Sequence, residues 1–524
     1  MLNDKQIGRF LKKMESFIER MEPHIFVKVG ELENVEKCHV NERYHKEPDL
    51  PFTKAEKGEY WEGEGTYCWF RGSFTVPEAL DGKTLFIKPH IGGYEALLFV
   101  NGKPFGTFAS KIVVTSHGNH YCDMVKYAPV AGEKIDIALE YYAGHYVPGT
   151  SPFETNVHSD YRFAYNGADI CIKDYDVQEF YFDLKTLYQL VCVLPEDSFR
   201  RAKVINTLIE VYNNVPMATE DVPMEKVVEA LKAVKPVIKE ALAAKNGDSA
   251  PEAAIIGHSH MDTAWLWHVG ETVKKCARTY SNQINLMEQY PEYKFIQSSA
   301  CHGDMIRKYY PELFEDIKKA VAEGRYEPNG GVWVECDCNI TSGESMIRQF
   351  LWGQRFTRKY FGYTSNCFWL PDTFGYSAAI PQIMKGCAVD YFLTTKISWN
   401  DTNEFPYDTF YWQGIDGTKV FTHFNTTHHH PDVADVSHNI NGGIKQKGVT
   451  DKRMLTFGFG DGGGGPTAEM LEMGRSCLRL IGLSFIPAGF CIITISVTQA
   501  IGNPFFSLIT SACRQLVVLL PVAW

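Results

Sequence analysis

From Ala253 onward, short apolar runs alternate with longer segments of helical period, and this alternation limits the possible folds more than any other feature. The runs AAII, KFIQSS, GVWVE, CFWL and YFLTTK have the length and content of strands. Between them lie a long amphipathic segment that extends to about Met287 and helix-like stretches such as DMIRKYYPELFEDIKKAVAEG and AAIPQIMKG. Because strands that alternate with helices form mainly parallel sheets, we predict an α/β fold here.

The segment before Ala253 has a different pattern. From about Tyr67 to Tyr142, short alternating runs are separated by turn signals, of which Asn101-Gly102 between apolar residues is typical of a β-hairpin. This pattern predicts an antiparallel β-sandwich of the jelly-roll type. Such a module could bind carbohydrate through Trp69 or Tyr94, or it could pack against the domain that follows. Residues 181–245 then carry a helical period.

Metal-capable side chains follow two of the predicted strands. The stretch AAIIGHSHMDTAWLW places His258, His260 and Asp262 after an apolar run, and FWLPDTFGYSAAIPQ places Asp372 after another. In α/β folds the carboxyl ends of strands carry the site, and an imidazole with a carboxylate is a plausible first half of a zinc shell. The alternative for the first group is a capped, solvated turn. We expect His258 to have a structural role beside the ligands.

Four motifs extend this interpretation to a family. HSHMDTAWLW, LPDTFGYSAAIPQI, TTKISWND and GFGDGGGGPT resemble, in this order, the glycoside hydrolase family 38 α-mannosidases, within the branch of bacterial, vacuolar and cytosolic enzymes. The resemblance covers roughly residues 30–475. It implies that the α/β segment is an irregular seven-stranded β/α barrel, preceded by the antiparallel β-sandwich.

The resemblance also implies the domain plan. We expect an N-terminal helix and β-sandwich domain at 1–180, a helical linker at 181–250 and the catalytic domain at 251–476. An aberrant apolar tail occupies 477–524.

The resemblance implies a retaining, zinc-dependent α-mannosidase that hydrolyses terminal α-D-mannosyl residues of oligosaccharides. Asp372 takes the role of the nucleophile and, with His260 and Asp262, ligates one zinc ion per chain. Asp461 in GFGDGGGGPT is the candidate acid/base, although a glycine-rich turn with a capping aspartate is a rival interpretation.

Three further side chains are expected at the sugar. Trp265, Phe374 and Lys396 are the candidate substrate-binding residues. The alternative interpretation is ordinary core packing for the two aromatic residues and a surface position for the lysine. Glu335 and its neighbours in WVECDCN follow another strand-like run and are expected to line the pocket.

Two other functions remain open at this point. A different zinc-dependent carbohydrate-active enzyme, such as a deacetylase, would need a base beside an open zinc position to activate water. A non-catalytic fragment would at most bind sugar. An α-mannosidase instead needs Asp372 on the metal and a second carboxylate opposite it.

Charge and cysteine use restrict the partners and the compartment. The formal net charge of -11 gives no support for nucleic acid or an anionic membrane as a partner. The first residues lack the apolar core of a signal peptide, and the 14 cysteines follow no framework of spacings. We therefore expect a cytoplasmic protein with reduced thiols, and the resemblance implies a possible homo-oligomer.

The last 48 residues differ from all that precede them. Residues 477–524 contain two arginines and no lysine, aspartate or glutamate, and Leu480 to Gly502 formally has the length of a membrane span. We expect a shifted reading frame or a rearranged gene end rather than a membrane anchor, and poor packing of this tail. Family members complete the zinc shell with a histidine beyond the GDGGGG segment, whereas no histidine follows His438. The sequence therefore predicts a missing fourth ligand and impaired activity.

Overall fold

A computed structural model of the chain describes residues 3–481, except for 111–117, 120–122, 146–159, 218, 220, 245, 247–249, 426 and 428. By its contacts the chain divides into two compact units. The first consists of Met1–Glu19, Phe180–Ala250 and the segment from Glu472, and the second consists of Arg20–Glu179 and Pro251–Leu471. The tail predicted from residue 477 lies outside the described residues from 482 onward.

The helical period of residues 181–245 is confirmed. The helices in and next to the first unit are α1 (Asp4–Glu19), α2 (Tyr175–Val193), α3 (Phe199–Asn214) and α4 (Met224–Leu242). Apolar side chains spaced along α4 are buried, as expected for a helix with one face in a core. In the first unit, Phe10 and Phe17 of α1 contact the ring of Tyr212 on α3.

Two antiparallel sheets occupy the N-terminal part of the second unit. The strands are β1 (Phe26–Glu31), β2 (Glu33–Val40), β3 (Thr53–Lys54), β4 (Tyr60–Glu62), β5 (Tyr67–Thr75), β6 (Leu85–Ile91), β7 (Glu95–Val100), β8 (Lys103–Ser110), β9 (Gly118–Asn119), β10 (Asp123–Lys126), β11 (Lys134–Tyr142) and β12 (Arg162–Lys173). One sheet has the order β1-β12-β6-β10 with β4 paired to β12, and the other has the order β3-β2-β5-β11-β7-β8-β9. The predicted hairpin at Asn101-Gly102 joins β7 to β8, with both residues at positive φ.

Buried side chains from both sheets form one hydrophobic core, as Ile87 on β6 and Leu139 on β11 illustrate. Trp69 and Tyr94, which could have bound carbohydrate on the surface, are instead buried. Trp69 packs in a cluster with Val273 of the α/β segment, so the packing alternative is the one observed.

Strands and helices alternate from residue 252, as predicted. The strands are β13 (Glu252–His258), β14 (Phe295–Gln297), β15 (Tyr326–Pro328), β16 (Cys367–Leu370), β17 (Tyr391–Thr394), β18 (Thr409–Gln413), β19 (Lys419–Phe424) and β20 (Lys452–Phe457). The helices are α5 (Val269–Gln289), α6 (Ala300–Tyr309), α7 (Pro311–Ala322), α8 (Gly343–Phe361), α9 (Ile380–Gly386), α10 (Val433–Gly443) and α11 (Ala468–Ile481).

These strands form two sheets of four. The order β15-β14-β13-β20 is parallel throughout, and in β16-β17-β19-β18 only β18 is antiparallel, because it forms a hairpin with β19. Asp416-Gly417, a pair typical of hairpin turns, lies in the turn between these two strands.

Two local predictions are wrong. The run GVWVE is not a strand, because Gly330 and Gly331 both take positive φ and turn the chain after β15. The stretch DMIRKYYPELFEDIKKAVAEG is two helices, since Pro311 begins α7 where α6 has ended.

Helix α5 differs most from its prediction. It was expected to be amphipathic, but every residue from Glu271 to Met287 is buried. Its charged side chains pair with carboxylates of the antiparallel sheets: Lys274 Nζ lies 2.5 Å from Glu140, Arg278 lies 2.7 Å from Glu95, and Lys275 also pairs with Glu95. The polar face is therefore turned toward the sheets rather than toward water.

Among the described residues, no helix is long and apolar enough to cross a membrane.

Candidate active site

The carboxyl ends of four parallel strands bring the predicted site residues together. His260 and Asp262 follow β13, Asp372 follows β16, Lys396 follows β17, and Asp461 follows β20. Neighbouring parallel strands end at the same edge of a sheet, which brings Asp461 next to His260 and Asp262 in one sheet and Lys396 next to Asp372 in the other. Lys396 begins a 3-10 turn that extends to Trp399.

His260 is the centre of this group. Its side chain is 3% exposed, and Nε2 lies 3.3 Å from Oδ2 of Asp372 and 3.7 Å from Oδ1 of Asp262. Oδ1 of Asp461 is 4.0 Å from the same nitrogen. The two predicted carboxylate ligands thus both lie close to Nε2 of His260, and the candidate acid/base lies beside them.

The ligand atoms of His260, Asp262 and Asp461 lie within 4.8 Å of one another, close enough to hold one metal ion. Asp372, which was predicted as the third ligand, directs its other oxygen to Lys396, whose Nζ is 2.7 Å from Oδ1. Asp461 therefore lies on the same side as the predicted ligands, which the sequence did not indicate.

The pKa values reflect this crowding of carboxylates. Burial raises the pKa of Asp262, and Asp372 and Asp461 add to that effect. Burial likewise raises the pKa of Asp461. For Asp372, burial also acts to raise the pKa, but His260 and Lys396 outweigh this effect, so the pKa of Asp372 is lowered.

The donor set fits a divalent cation. Burial alone would lower the pKa of His260, but Glu335, Asp262 and Asp372 raise it well above its usual range. Several carboxylates around one buried imidazole are unfavourable unless positive charge lies among them. One imidazole nitrogen with carboxylate oxygens is also a ligand set that zinc uses.

A glycine-rich loop holds Asp461 in place. Asp461 itself takes φ 60°, and its carbonyl oxygen accepts a hydrogen bond from the backbone N–H of Asp262 at 3.1 Å. Gly463, at φ 86°, lies so close to α5 that a methyl group on it would be 2.5 Å from Oγ1 of Thr279. The backbone N–H of Gly464 donates to the same hydroxyl at 2.8 Å. The glycines therefore allow the loop to approach the helix, and the helix fixes the loop.

Two exposed aromatic rings, those of Phe374 and Trp399, lie beside Lys396. Phe374 is 60% exposed and Trp399 is 68% exposed, and their rings pack edge to face at 5.8 Å. Lys396 Nζ lies 3.5 Å from the ring centroid of Trp399 and 5.0 Å from that of Phe374. Trp265 is 46% exposed and contacts Trp267. Trp399 was not among the predicted residues, although it lies in the motif TTKISWND.

Two residues beside the site have clear partners. Nδ1 of His258 is 2.9 Å from the carbonyl oxygen of Ile296, and Trp369 donates to its Nε2 at 3.3 Å, which agrees with a structural role. Oε2 of Glu335 lies 3.2 Å from Nδ1 of His260. The sequence placed Glu335 at the pocket but gave no signal of this contact, because the run GVWVE that ends in Glu335 was expected to be a strand and is not one.

Comparisons with known proteins agree with this geometry. Residues 250–485 match the family model described as the glycosyl hydrolases family 38 N-terminal domain. The chain is 34% identical over 435 residues to α-mannosidase G of Dictyostelium discoideum, which is 81% of this chain and 38% of that protein. It is 34% identical over 439 residues to α-mannosidase 2C1 of Mus musculus, which is 82% of this chain and 40% of that protein.

A third relative is the α-mannosidase of Saccharomyces cerevisiae, with 37% identity over 332 residues, which are 61% of this chain and 30% of that protein. The chain thus spans about two fifths or less of the length of these relatives. Residues 250–485 thus have the glycosyl hydrolases family 38 N-terminal domain, and over about four fifths of its length the chain is similar to relatives named α-mannosidase.

Proposed function

We propose that the protein is a retaining, zinc-dependent α-mannosidase that removes terminal α-D-mannosyl residues from oligosaccharides. The observation that carries this proposal is the convergence of His260, Asp262, Asp372 and Asp461 at one edge of the parallel strands of a family 38 domain. The named relatives support the choice of mannoside as substrate.

Asp372 is the proposed nucleophile. Lys396 and His260 hold the pKa of its carboxyl below the usual range, so it is ionised at neutral pH. One oxygen attacks the anomeric carbon of the mannoside, and the bond between that carbon and the leaving oxygen breaks. Water then cleaves the covalent glycosyl ester, which releases mannose and regenerates the carboxylate.

Asp461 is the candidate proton donor to the leaving oxygen. Burial raises the pKa of its carboxyl, which favours the protonated form that a general acid needs. The same carboxylate is also close enough to His260 and Asp262 to be a metal ligand.

His260, Asp262 and Asp372 would hold the zinc ion, with Asp461 beside them. When bound, the ion supplies a template for two sugar hydroxyls and stabilises the charge that develops on the ring. Phe374 with the ammonium group of Lys396 offers an apolar wall and a hydrogen-bond donor at the same edge.

Three wider features belong to the proposal. We propose that the four parallel strands of one sheet and the three of the other are parts of an irregular seven-stranded barrel. We further propose a cytoplasmic location and assembly into homo-oligomers, by resemblance to the family. The retaining stereochemistry follows from the roles given to Asp372 and Asp461.

The test is hydrolysis of an aryl α-mannoside by the 524-residue chain, with zinc added and with a chelator. Asp372→Asn should abolish the turnover that the unsubstituted chain shows, even if that turnover is impaired, because the ester cannot form. Asp416→Asn is the matched control, since Asp416 lies in the turn before β19, at the opposite edge of the sheet. NMR of the first product should show α-mannose.

Several results would contradict the proposal. β-Mannose as the first product would exclude retention. Turnover by Asp372→Asn equal to that of the control would exclude Asp372 as the nucleophile. Release of acetate from an acetylated sugar, without mannoside hydrolysis, would favour a deacetylase.

A further inference from the structure

We propose that Glu335 is a positioning residue that orients the His260 imidazole from behind, so that Nε2 faces the three aspartates. This inference rests on the proposed metal site and extends it to a residue that does not touch the ion. Oε2 of Glu335 lies 3.2 Å from Nδ1 of His260, while the three aspartates surround Nε2 of the same ring.

The carboxylate of Glu335 is itself anchored. Ser298 donates its hydroxyl hydrogen to Oε1 of Glu335 at 2.6 Å, and the backbone N–H of Glu335 donates to Oγ of Ser299 at 3.1 Å. Ser298 and Ser299 are buried, and the Glu335 side chain is only 11% exposed. Each oxygen of this carboxylate therefore has a defined neighbour, with His260 on one side and Ser298 on the other.

The backbone that carries Glu335 is also fixed. The N–H of Trp333 donates to the carbonyl of Gln349 at 2.9 Å, and the N–H of Val334 donates to the side chain of the same glutamine at 3.1 Å. Gly353 lets α8 approach so closely that a methyl group there would lie 2.4 Å from the carbonyl carbon of Val332. Helix α8 thus holds the segment 332–335 where Glu335 can reach His260.

The chemistry of imidazole explains why this position matters. A neutral ring carries one hydrogen, and a carboxylate close to Nδ1 favours the tautomer with that hydrogen on Nδ1, which leaves the lone pair on Nε2. The carboxylate also fixes the ring plane and makes Nε2 a stronger donor to a metal. Loss of such a partner typically weakens metal affinity 10-fold to 100-fold.

The experiment measures zinc affinity directly, by competition with a chromophoric chelator, on the full 524-residue chain. Glu335→Gln should bind zinc about 10-fold to 100-fold more weakly than the unsubstituted chain. Ser298→Ala should weaken binding in the same direction by a smaller factor, because Glu335 remains but is less constrained. Glu344→Gln is the matched control, since Glu344 lies exposed on the first turn of α8 and pairs with Arg348.

Cobalt provides a second readout that a loss of folding stability alone would not move. The visible absorption of bound Co²⁺ depends on its ligand field, so Glu335→Gln should shift or weaken this band, while Glu344→Gln should leave it unchanged. Far-ultraviolet circular dichroism of the metal-free variants checks that they are folded. If Glu335→Gln does not fold, Ser298→Ala decides the question by the same two measurements.

Equal zinc affinity for Glu335→Gln and the unsubstituted chain would overturn the inference, as would equal weakening in Glu344→Gln. A chain that binds no zinc would overturn both this inference and the proposed cofactor. A chain that binds zinc, shows the Glu335 effect and hydrolyses no mannoside would support the inference while contradicting the proposed function.

Discussion

At the scale of single residues, one buried imidazole determines how the site is organised. Nitrogens of His260 lie within 4.0 Å of carboxylate oxygens from Asp262, Glu335, Asp372 and Asp461. The ammonium group of Lys396 pairs with Asp372 and so neutralises part of the negative charge. A bound cation would neutralise more of it. Zinc at this position would therefore improve electrostatics that the protein alone leaves unfavourable.

Asp461→Asn separates the two roles that its position allows. We expect zinc affinity to fall at least about 10-fold, because the carboxylate lies within ligand distance of His260 and Asp262. A variant that keeps full zinc affinity, but loses turnover mainly on mannosides with poor leaving groups, would assign Asp461 to proton donation alone. Zinc competition and turnover with aryl mannosides of different leaving-group pKa make the comparison.

Sequence patterns predicted these residues to different extents. His260, Asp262 and Asp372 could be predicted to converge, because each follows a recognisable strand and strand ends share one edge. The place of Asp461 among the ligands depends on its φ of 60° and on the contact between its loop and Asp262, and neither is visible in the sequence. The contact from Glu335 was missed for a similar reason, since GVWVE is a turn and not a strand.

At the scale of elements, the glycine-rich loop after β20 and helix α5 act together. The loop carries Asp461, and polar side chains of α5 form hydrogen bonds with the backbone of this loop. Asn282 and Gln283 donate to the carbonyl oxygen of Gly464 at 3.3 and 3.0 Å. In the structure, therefore, Gly463 makes room for α5.

Two glycine variants separate backbone strain from close contact. Gly463 and Gly417 have nearly the same φ, 86° and 87°, so alanine costs about 1–2 kcal/mol at either site. Gly417 has open space around it, but a methyl group on Gly463 would lie 2.5 Å from Oγ1 of Thr279. We expect Gly463→Ala to cost about 1–3 kcal/mol more and to weaken zinc binding, unlike Gly417→Ala. Urea unfolding measures the loss of stability, and competition with a chelator measures zinc affinity. Equal effects of the two variants would show that the close contact with Thr279 is not the cause.

Glu271 at the start of α5 tests the buried ion pairs. Burial would raise the pKa of Glu271, but Arg278 and Lys275 lower it to about 2. Removing one partner of a buried pair costs about 3–5 kcal/mol, so Glu271→Gln should be destabilised by that amount at pH 7. The exposed Glu196→Gln should change the unfolding free energy by less than about 0.5 kcal/mol.

The pH dependence has a definite sign. The pKa of Glu271 in the folded chain is below the value of about 4.3 for an unfolded chain. The stability that ionised Glu271 contributes is therefore fully present above about pH 4.3 and is lost as the pH falls toward 2. The difference in the free energy of unfolding between Glu271→Gln and the unsubstituted chain should stay constant down to about pH 5 and become smaller below it. A gap that is the same at pH 7 and pH 3 would show that the negative charge of Glu271 is not its cause.

At the scale of the whole molecule, the antiparallel sheets and the parallel strands belong to one compact unit. The α/β alternation and the strand-rich N-terminal pattern were both predictable, because each depends on local period. That α5 would be buried was not predictable, since KKCAR and the residues around it have the composition of an exposed helix. Its partners, Glu95 and Glu140, are more than a hundred residues away in the sequence.

Burial of α5 on all sides also has a consequence for hydrogen–deuterium exchange. No face of the helix from Glu271 to Met287 meets solvent, so its amides can exchange only when the sheets or the parallel strands separate from it. We expect peptides from 271–287 to be among the slowest to exchange, at a rate that approaches that of unfolding the unit. Peptides from α8, which has an exposed face, should exchange earlier. The slowest step in opening this unit would then be the release of α5, the helix that holds the glycine-rich loop of Asp461 in place.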